Sequence, residues 1–342
     1  MPETSNALRR LRVAIIGNHG TSIYSGGRYH SLIIAYALAR LGVQVTVVTN
    51  NRPIFLADLE VIAPEAVTFV VAPGFREGLP DTEFDFVILV PSGRFLPEFY
   101  EAASRFAARA RARLALLNFE AGSWFNALAP EPRDIRIWDA WRRAVADGGL
   151  VLSSTAVSDG FARDFYRGSA GATLRFEICA PPINSVAAAA AGSAAKDGSV
   201  VAFTRAMDRH KGGEDLLALD PGLLAGRALH IISGTRPDDE FLAAMDERFT
   251  GAGVDLHLHA SISDAEKFAL LGAAQAIVFP SHFEGFGYPP AEAAYMGTET
   301  ACYDLPVLKE TVGGIAHFAP RGDTAALNGA LAAALAQPER RA

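Results

Sequence analysis

Short apolar runs alternate along this chain with longer segments in which apolar residues recur every three or four positions. The run Arg12–Gly17 is typical of a buried strand, the segment that continues to Arg40 has helical spacing, and Val43–Thr49 is again strand-like. A strand, a helix and a second buried strand predict a βαβ unit and therefore a parallel sheet. The same alternation predicts three further strands and a helix: Val67–Val71, Phe86–Val90, Leu114–Asn118, and Pro97 to about Arg113.

The alternation stops after Ile178 and restarts at Val200. Between these points Pro181 and Pro182 precede small and polar residues without an apolar period, which is typical of a domain boundary. We therefore predict an α/β protein with two Rossmann-like domains. Their predicted bounds are 1–180 and 200–325, with a linker at 181–199 and a C-terminal helix and tail at 326–342.

Composition and charge narrow the class of protein. Half of the 342 residues are apolar and a fifth are charged, as in globular proteins large enough for two domains. Because no apolar run reaches the length of a membrane span and residues 1–12 lack the apolar stretch of a signal peptide, we expect a cytoplasmic protein.

The charge is unevenly divided along the chain. Residues 1–195 contain 19 arginines against 18 acidic residues, whereas the remainder has 12 basic against 20 acidic residues. The acidic second half argues against nucleic-acid binding. In the first half, Arg105 and Arg109 share a predicted helical face. The simpler interpretation is a solvated surface. The alternative is peripheral contact with the cytoplasmic face of the inner membrane.

The stretch from Phe279 to Gly297 contains the strongest candidate chemistry. An apolar run ends at a proline, a glycine-rich loop follows, and Pro289-Pro290 open an Ala-rich helix. The N–H groups at such a helix start favour an anion. Glu284 in the loop and Glu292 in the predicted first turn would repel a phosphate, so we expect them to accept hydrogen bonds from the hydroxyls of a sugar or ribose.

Arg205 and Lys211 follow the first strand of the second domain, on the loop that leads into its helix. The guanidinium of Arg binds two oxygens at once and Lys supplies a compact charge, so the pair could neutralise a diphosphate as it leaves. A surface cation is the simpler interpretation of either residue alone. A diphosphate flanked by hydroxyl-rich groups is a nucleotide sugar.

Candidates in the first half are less specific. Gly26 and Gly27 precede the first helix, where a mobile turn and a contact to phosphate or acceptor are both open interpretations because GxGxxG is absent. Asn118, Glu120 and His30 are further candidates because ligands bind at the carboxyl ends of parallel strands.

Several other chemistries have no support in the sequence. There is no Asp-x-Asp triplet and no close histidine pattern, so we expect no metal and no cofactor. Cys179 and Cys302 are far apart, which favours two small buried side chains, and no GxSxG motif indicates a serine nucleophile.

The second half resembles the family 4 glycosyltransferases of the GT-B fold, which are retaining and use nucleotide sugars. Glu284 to Glu292 (EGFGYPPAE) is similar to that family's Glu-x7-Glu motif, and Arg205 and Lys211 are similar to its diphosphate-binding pair. Further agreement comes from Ser261–Asp264, from Pro280 and Ser281, and from residues 305–320. The resemblance covers about 200–323, and the first half is similar only in outline.

The resemblance implies two domains facing each other across a cleft, with the acceptor on the first domain. It implies transfer to a glycan, lipid-linked glycan or small molecule, without metal and with retention, in which Glu284, Arg205 and Lys211 are catalytic. The resemblance also implies that Ser261 and Ile262 contact the nucleobase and that Glu292 binds the ribose. The diphosphate would be bound by the backbone of Gly285, Phe286, Gly287 and Tyr288.

Three alternative functions remain open from the residues. A GT-B-like nucleotide-sugar epimerase would share the donor site. A Rossmann oxidoreductase needs an acidic residue after the second strand, where this chain has Asn50 and Asn51. A non-catalytic nucleotide-sugar-binding module would need only part of the Glu, Arg and Lys set.

Overall fold

The computed structural model describes residues 8, 10–19, 26–53, 56, 59, 67–75, 77–91, 96–120, 122–134, 136–146, 148–167, 174–192, 194–205 and 208–337. They divide into two compact units, Met1–Ala127 with Pro132–Asn184 and Leu128–Glu131 with Ser185–Ala342. Each unit contains one sheet whose strand pairs are all parallel. The predicted α/β class with two Rossmann-like domains is therefore confirmed.

The sheet of the first unit has seven strands in the order β3-β2-β1-β4-β5-β6-β7. Central strand β1 is apolar along its length, with Val13 to Ile16 at most 4% exposed, because helices cover both faces of such a sheet. The strands are β1 (Arg12–Gly17), β2 (Gln44–Thr49), β3 (Val67–Val71), β4 (Phe86–Val90), β5 (Arg113–Asn118), β6 (Leu150–Ser153) and β7 (Arg175–Ile178).

The helices of the first unit bury a large aromatic core. Trp124, Trp138 and Trp141 are at most 1% exposed and belong to this core. The helices are Gly26–Arg40, Pro97–Arg109, Gly122–Leu128, Arg136–Val145 and Ala156–Arg167, and a short 3-10 turn spans Pro73–Phe75.

The arginine-rich helix is shorter than predicted. It ends at Arg109, and the chain then turns through Arg111, whose φ of 54° is left-handed, into β5. Arg105 pairs with Glu101 at 3.5 Å and Arg111 with Glu83 at 3.1 Å, so two of these arginines have carboxylate partners on the surface. Within the described residues, no helix has the length and apolar content that crossing a membrane requires.

The sheet of the second unit has six strands in the order β10-β9-β8-β11-β12-β13. Strands β8, β11 and β12 are buried throughout and form its centre. The strands are β8 (Val200–Thr204), β9 (Ala228–Ser233), β10 (Asp255–Ala260), β11 (Ala276–Phe279), β12 (Glu299–Tyr303) and β13 (Ala316–Ala319).

Two predicted domain boundaries, those of the linker and of the C-terminal segment, fall at helices of the second unit. Ala187 and Ala188 of the predicted linker lie buried in a helix that packs against Asp264–Ala273, because small side chains permit close helix contact. The helix split by the predicted boundary at 325 packs on β11 to β13, and residues after 337 lie outside the described part. The helices are Ser185–Ala191, Gly213–Leu217, Asp239–Phe249, Asp264–Ala273, Tyr288–Tyr295, Pro306–Val312 and Thr324–Leu335.

Candidate active site

The second unit places its candidate residues where the strand order changes direction. From β8 the chain continues outward to β9 and β10, then returns to β11 on the other side of β8. In open parallel sheets this switch point leaves a crevice at the carboxyl ends of the strands, where ligands bind. The loop after β8 carries Arg205 and Lys211, and the loop after β11 carries Glu284.

Lys211 and Glu284 meet at this switch point. Lys211 Nζ donates to Glu284 Oε1 at 2.5 Å, and the two side chains are 21% and 12% exposed. The buried Ser281 hydroxyl lies 2.8 Å from the same carboxylate oxygen. The structure thus brings together two predicted site residues in a charge-assisted hydrogen bond. Lys211, predicted to face a diphosphate, therefore also contacts a predicted hydroxyl acceptor.

The two loops touch through their backbones. Gly212 has a φ of +67°, and a Cβ there would lie 2.1 Å from the carbonyl oxygen of Pro280. The His282 amide donates to the carbonyl oxygen of His210 at 2.8 Å, and His282 Nε2 lies 2.6 Å from Asp215 Oδ2. Glycine at 212 is therefore required for Lys211 to reach Glu284.

Arg205 is engaged on its own loop. Its Nε lies 2.9 Å from Asp208 Oδ2, and the Arg205 side chain is 30% exposed. The predicted cationic pair is thus present on one loop, with each cation bound to a different carboxylate. A dianionic ligand could compete with both carboxylates for these cations.

The glycine-rich loop leads into the short helix Tyr288–Tyr295. Gly287 has a φ of +87° and packs so closely on Leu308 that a Cβ would lie 2.3 Å from its Cδ2 atom. Proline is in the first turn of the helix, as predicted. The rings of Phe286 and Tyr288 pack edge to face, with their centroids 5.3 Å apart. The segment Gly285–Tyr288 therefore has a backbone path that glycine makes possible.

The expected position of Glu292 in the first turn of the helix is wrong. The helix starts at Tyr288, so Glu292 lies beyond the first turn, and its side chain is 2% exposed. Its Oε1 accepts a hydrogen bond from Lys267 Nζ at 2.6 Å, and Lys267 Nζ also donates to Asp264 Oδ1 at 2.9 Å. Burial raises the pKa of Glu292 to about 7 although Lys267 acts in the opposite direction.

Ser261 and Ile262 lie on the turn after β10. Ser261 has a left-handed φ of 56°, which is uncommon for a residue other than glycine, and its hydroxyl donates to the carbonyl oxygen of Gly234 at 3.0 Å. Ser263 and Glu266 then form a capping box that starts the helix Asp264–Ala273. The strained turn between β10 and this helix is typical of functional sites.

The candidates of the first unit lie near the carboxyl ends of β1 and β5. A Cβ on Gly27 would lie 2.8 Å from the ring of Phe119, so the start of the first helix packs directly on the residue after Asn118. Gly26 has open space around it, and the ring of His30 lies 5.4 Å from that of Phe119.

Asn118 and Glu120 are engaged inside the first unit. Asn118 is 1% exposed, and its Nδ2 donates to Ser153 Oγ at 3.2 Å and to the carbonyl oxygen of Ser158 at 3.4 Å. Glu120 forms an ion pair with Arg133, whose guanidinium lies 3.9 Å from the centre of the Phe125 ring. These contacts give Asn118 a clear structural role.

The sequence analysis missed Lys267 and His19. Ser281, which the family resemblance includes together with Pro280, contacts the Glu284 carboxylate. Lys267 interrupts an apolar helical face, which was the available signal. His19 lies just after β1, is 1% exposed, and has a pKa lowered to about 3 by burial and by the charge of Arg28.

No group of three or more His, Cys, Asp or Glu side chains in the described part of the chain has a geometry that could hold a metal ion. The charged side chains of Arg205, Lys211 and Glu284 lie on the loops after β8 and β11.

Comparisons with known proteins agree with this geometry. The family model of glycosyl transferases group 1 matches residues 188–342. O-antigen chain mannosyltransferase B of Escherichia coli is 34% identical over 99 residues, which cover 29% of this chain and 26% of that protein. The alignment thus spans about a quarter of the length of this curated relative.

Solved structures extend the similarity to both units. Sucrose-phosphate synthase from Thermosynechococcus elongatus matches with a TM-score of 0.66 and 18% identity, covering 96% of this chain and 90% of that one. HepE of Anabaena in complex with UDP-glucose matches with a TM-score of 0.68 and 13% identity, covering 96% of this chain and 90% of that one. Residues 188–342 therefore carry the sequence pattern of the group 1 glycosyl transferases, and the described chain has the predicted GT-B fold.

Proposed function

We propose that this protein is a glycosyltransferase that moves a sugar from a nucleoside diphosphate sugar to a hydroxyl of an acceptor, with retention of configuration and without a metal ion. The observation that carries the proposal is the Lys211–Glu284 contact at the switch point of the second sheet. The group 1 match over residues 188–342 and the UDP-glucose bound to HepE support the same donor class.

Donor binding would exchange one set of contacts for another. The diphosphate offers several anionic oxygens, so it can replace Glu284 as the partner of Lys211 and Asp208 as a partner of Arg205. Glu284 then accepts hydrogen bonds from hydroxyls of the donor sugar. The Lys211–Glu284 ion pair would thereby keep a cation and an acceptor in place for a neighbouring phosphate and sugar.

The transferred sugar leaves a diphosphate whose negative charge grows in the transition state. Lys211 and Arg205 would stabilise that developing charge, which is how fixed cations lower a barrier. The backbone of Gly285–Tyr288 would bind the diphosphate oxygens, and the turn at Ser261 and Ile262 would contact the nucleobase. Retention is proposed from the resemblance to family 4 enzymes.

The first unit would supply the acceptor. The packing of Gly27 on Phe119 fixes the start of the first helix of this unit near the end of β5. We propose a hydroxyl-bearing glycan, lipid-linked glycan or small molecule as the acceptor class. Gly26, which has open space around it, is the candidate for close approach of that substrate.

Calorimetric titration tests the donor class. The protein is titrated with UDP, GDP, ADP, dTDP and NAD, and the corresponding nucleotide sugars are then assayed for hydrolysis and transfer. We expect one nucleoside diphosphate to bind and Lys211→Met to weaken it strongly. Arg236→Gln removes an exposed cation paired with Asp239 and is the matched control. Binding of NAD alone would contradict the proposal and indicate an oxidoreductase.

A further inference from the structure

The helix Asp264–Ala273 brings an ammonium group to a carboxylate of the proposed donor site. Lys267 Nζ lies 2.6 Å from Glu292 Oε1 and 2.9 Å from Asp264 Oδ1. The side chains of Lys267, Asp264 and Glu292 are 11%, 3% and 2% exposed, so this cluster is almost completely enclosed. Lys267 lies outside every motif that marks the donor site in the sequence.

Stability of the fold does not explain this cluster. Lysine is almost never buried unless it is paired, and a buried ion pair can often be replaced by apolar side chains with no loss of stability. The same helix buries Phe268 and Leu271 completely, so apolar side chains in place of all three charged groups would suit this environment. Asp264 lies in the first turn of the helix, where the dipole favours a negative charge, and it orients the ammonium of Lys267.

We propose that Lys267 is a positioning residue of the donor site, which keeps the Glu292 carboxylate ionised and oriented to accept hydrogen bonds from the ribose hydroxyls of a nucleoside diphosphate. This inference rests on the proposed function, in which Glu292 binds the ribose. An ionised carboxylate has only acceptor sites, and each oxygen accepts more than one hydrogen bond, so Glu292 Oε1 can bind Lys267 and still offer capacity to a diol.

The charge on Glu292 is finely balanced near neutral pH. Burial raises its pKa to about 7, and the charged groups acting on it within the described residues are Lys267, which lowers the pKa, and Asp264, which raises it. Both lie on the helix Asp264–Ala273; the other elements packed against the Glu292 helix are β11, β12 and Pro306–Val312. Loss of the Lys267 charge therefore raises the pKa of Glu292 further, and the carboxyl group becomes protonated at neutral pH.

Nucleotide titration at several pH values tests this role. The probes are the nucleoside diphosphate that the wild-type protein binds and its 2′,3′-dideoxy counterpart. Affinity of the wild type for the ribonucleotide should fall as the pH drops below about 7. For Lys267→Met we expect this midpoint to move up by at least about one pH unit, which lowers the ionised fraction of Glu292 at pH 7 from about one half to about one tenth and weakens binding there about fivefold or more.

Three controls separate positioning from a structural role. The dideoxynucleotide, which lacks the hydroxyls, should bind wild type and Lys267→Met equally. Lys267→Arg keeps the charge and should restore the pH profile, and Lys309→Met removes a half-exposed lysine paired with Asp304 and should leave it unchanged. If Lys267→Met does not fold, Lys267→Gln removes the charge with a polar side chain and gives the same comparison.

Two outcomes overturn the inference while the proposed function stands. One is an equal loss of affinity for both nucleotides, and the other is an unchanged pH profile. Carbon-13 NMR of the Glu292 carboxyl in the free protein adds a test without ligand, since a pKa that is not higher in Lys267→Met contradicts the coupling. A wild-type protein that binds no nucleoside diphosphate at any pH contradicts the proposed function itself.

Discussion

The two units hold their candidate residues in different ways. In the second unit, loops after adjacent strands β8 and β11 converge, and Lys211 and Glu284 bind each other across them. In the first unit, Asn118 lies at the end of β5 but its amide nitrogen donates to partners within the core. The charged residues on neighbouring loops therefore meet each other, whereas the polar residue at a strand end serves the packing of its own unit.

The largest effect should come from Gly212→Ala. Its Cβ would lie 2.1 Å from the Pro280 carbonyl oxygen at a φ of +67°, so the two loops of the second unit must separate. We expect a loss of about 3 kcal/mol in the free energy of unfolding. Urea denaturation measures it. Gly329→Ala lies in a helix with open space around it and should stabilise the protein by about 0.5–1 kcal/mol.

A wild-type-like stability of Gly212→Ala would show that the backbone contact with Pro280 is not needed. Loss of nucleotide binding in the same variant would then assign Gly212 a purely local role in holding Lys211.

The next effect tests whether Asn118 is structural. Asn118→Ala removes the donor to Ser153 Oγ and to the carbonyl oxygen of Ser158, both in the core of the first unit. We expect the free energy of unfolding to fall by about 2 kcal/mol while nucleotide affinity stays unchanged. Chemical denaturation and calorimetry give the two values. Unchanged stability with lost transfer would place Asn118 in the acceptor site and remove the contrast between the units.

The pH dependence of stability should differ in sign between the units. Burial holds the pKa of His19 at about 3, below its ordinary value of 6.5, so the unfolded state binds more protons between these values and stability falls as the pH drops. At pH 5.5 this amounts to about 1.4 kcal/mol, which His19→Leu should remove. The measurement is urea unfolding at pH 7.5 and 5.5.

Glu292 affects the pH dependence of stability with the opposite sign to His19. Its pKa is raised from 4.5 to about 7 in the folded protein, so its contribution to stability is present below 4.5 and is lost as the pH rises through 7. Glu292→Gln should therefore increase the loss of stability on acidification, whereas His19→Leu decreases it. Changes of the same sign in both variants would contradict the environments described for these two residues.

The smallest effect is expected for Ser261→Gly, in the turn after β10, and Ser261→Val is its comparison. Ser261→Val places a β-branched residue at a φ of 56° and should cost about 1–2 kcal/mol. Ser261→Gly loses the hydroxyl contact with Gly234 but relieves the strain, so we expect a change within about 0.5 kcal/mol. Thermal unfolding of both variants checks this. An equally large loss in both would attribute the effect to the hydroxyl rather than to the backbone.

Much of the fold followed from apolar periodicity. β1 and β4 have their predicted ends, because buried strands leave strong apolar patterns. The helix at Ser185–Ala191 was missed, since a run of alanines has no apolar face to detect. The arginine-rich helix was extended too far because Arg111, in a left-handed turn, looks like a helix former in the sequence.

The sequence was enough to predict which charged residues belong to the candidate site, but not which of them pair with each other. The spacing of Glu284 and Glu292 suggested two similar hydroxyl acceptors, yet one contacts Lys211 near the surface and the other contacts Lys267 in the interior. A long-range ion pair of this kind depends on which helix packs against which strand. Lys267 could be recognised only once the helix Asp264–Ala273 was seen to pack against the helix that carries Glu292.

The backbone contact between the loops after β8 and β11 has a consequence for hydrogen exchange. The His282 amide, which donates to the carbonyl oxygen of His210, can exchange only when both loops open together. The amides of Lys211 and Gly212, bonded to Asp208 and Arg209, lie in the same contact region. These amides should therefore exchange as one cooperative group, and a nucleoside diphosphate that binds there should slow all of them by a similar factor.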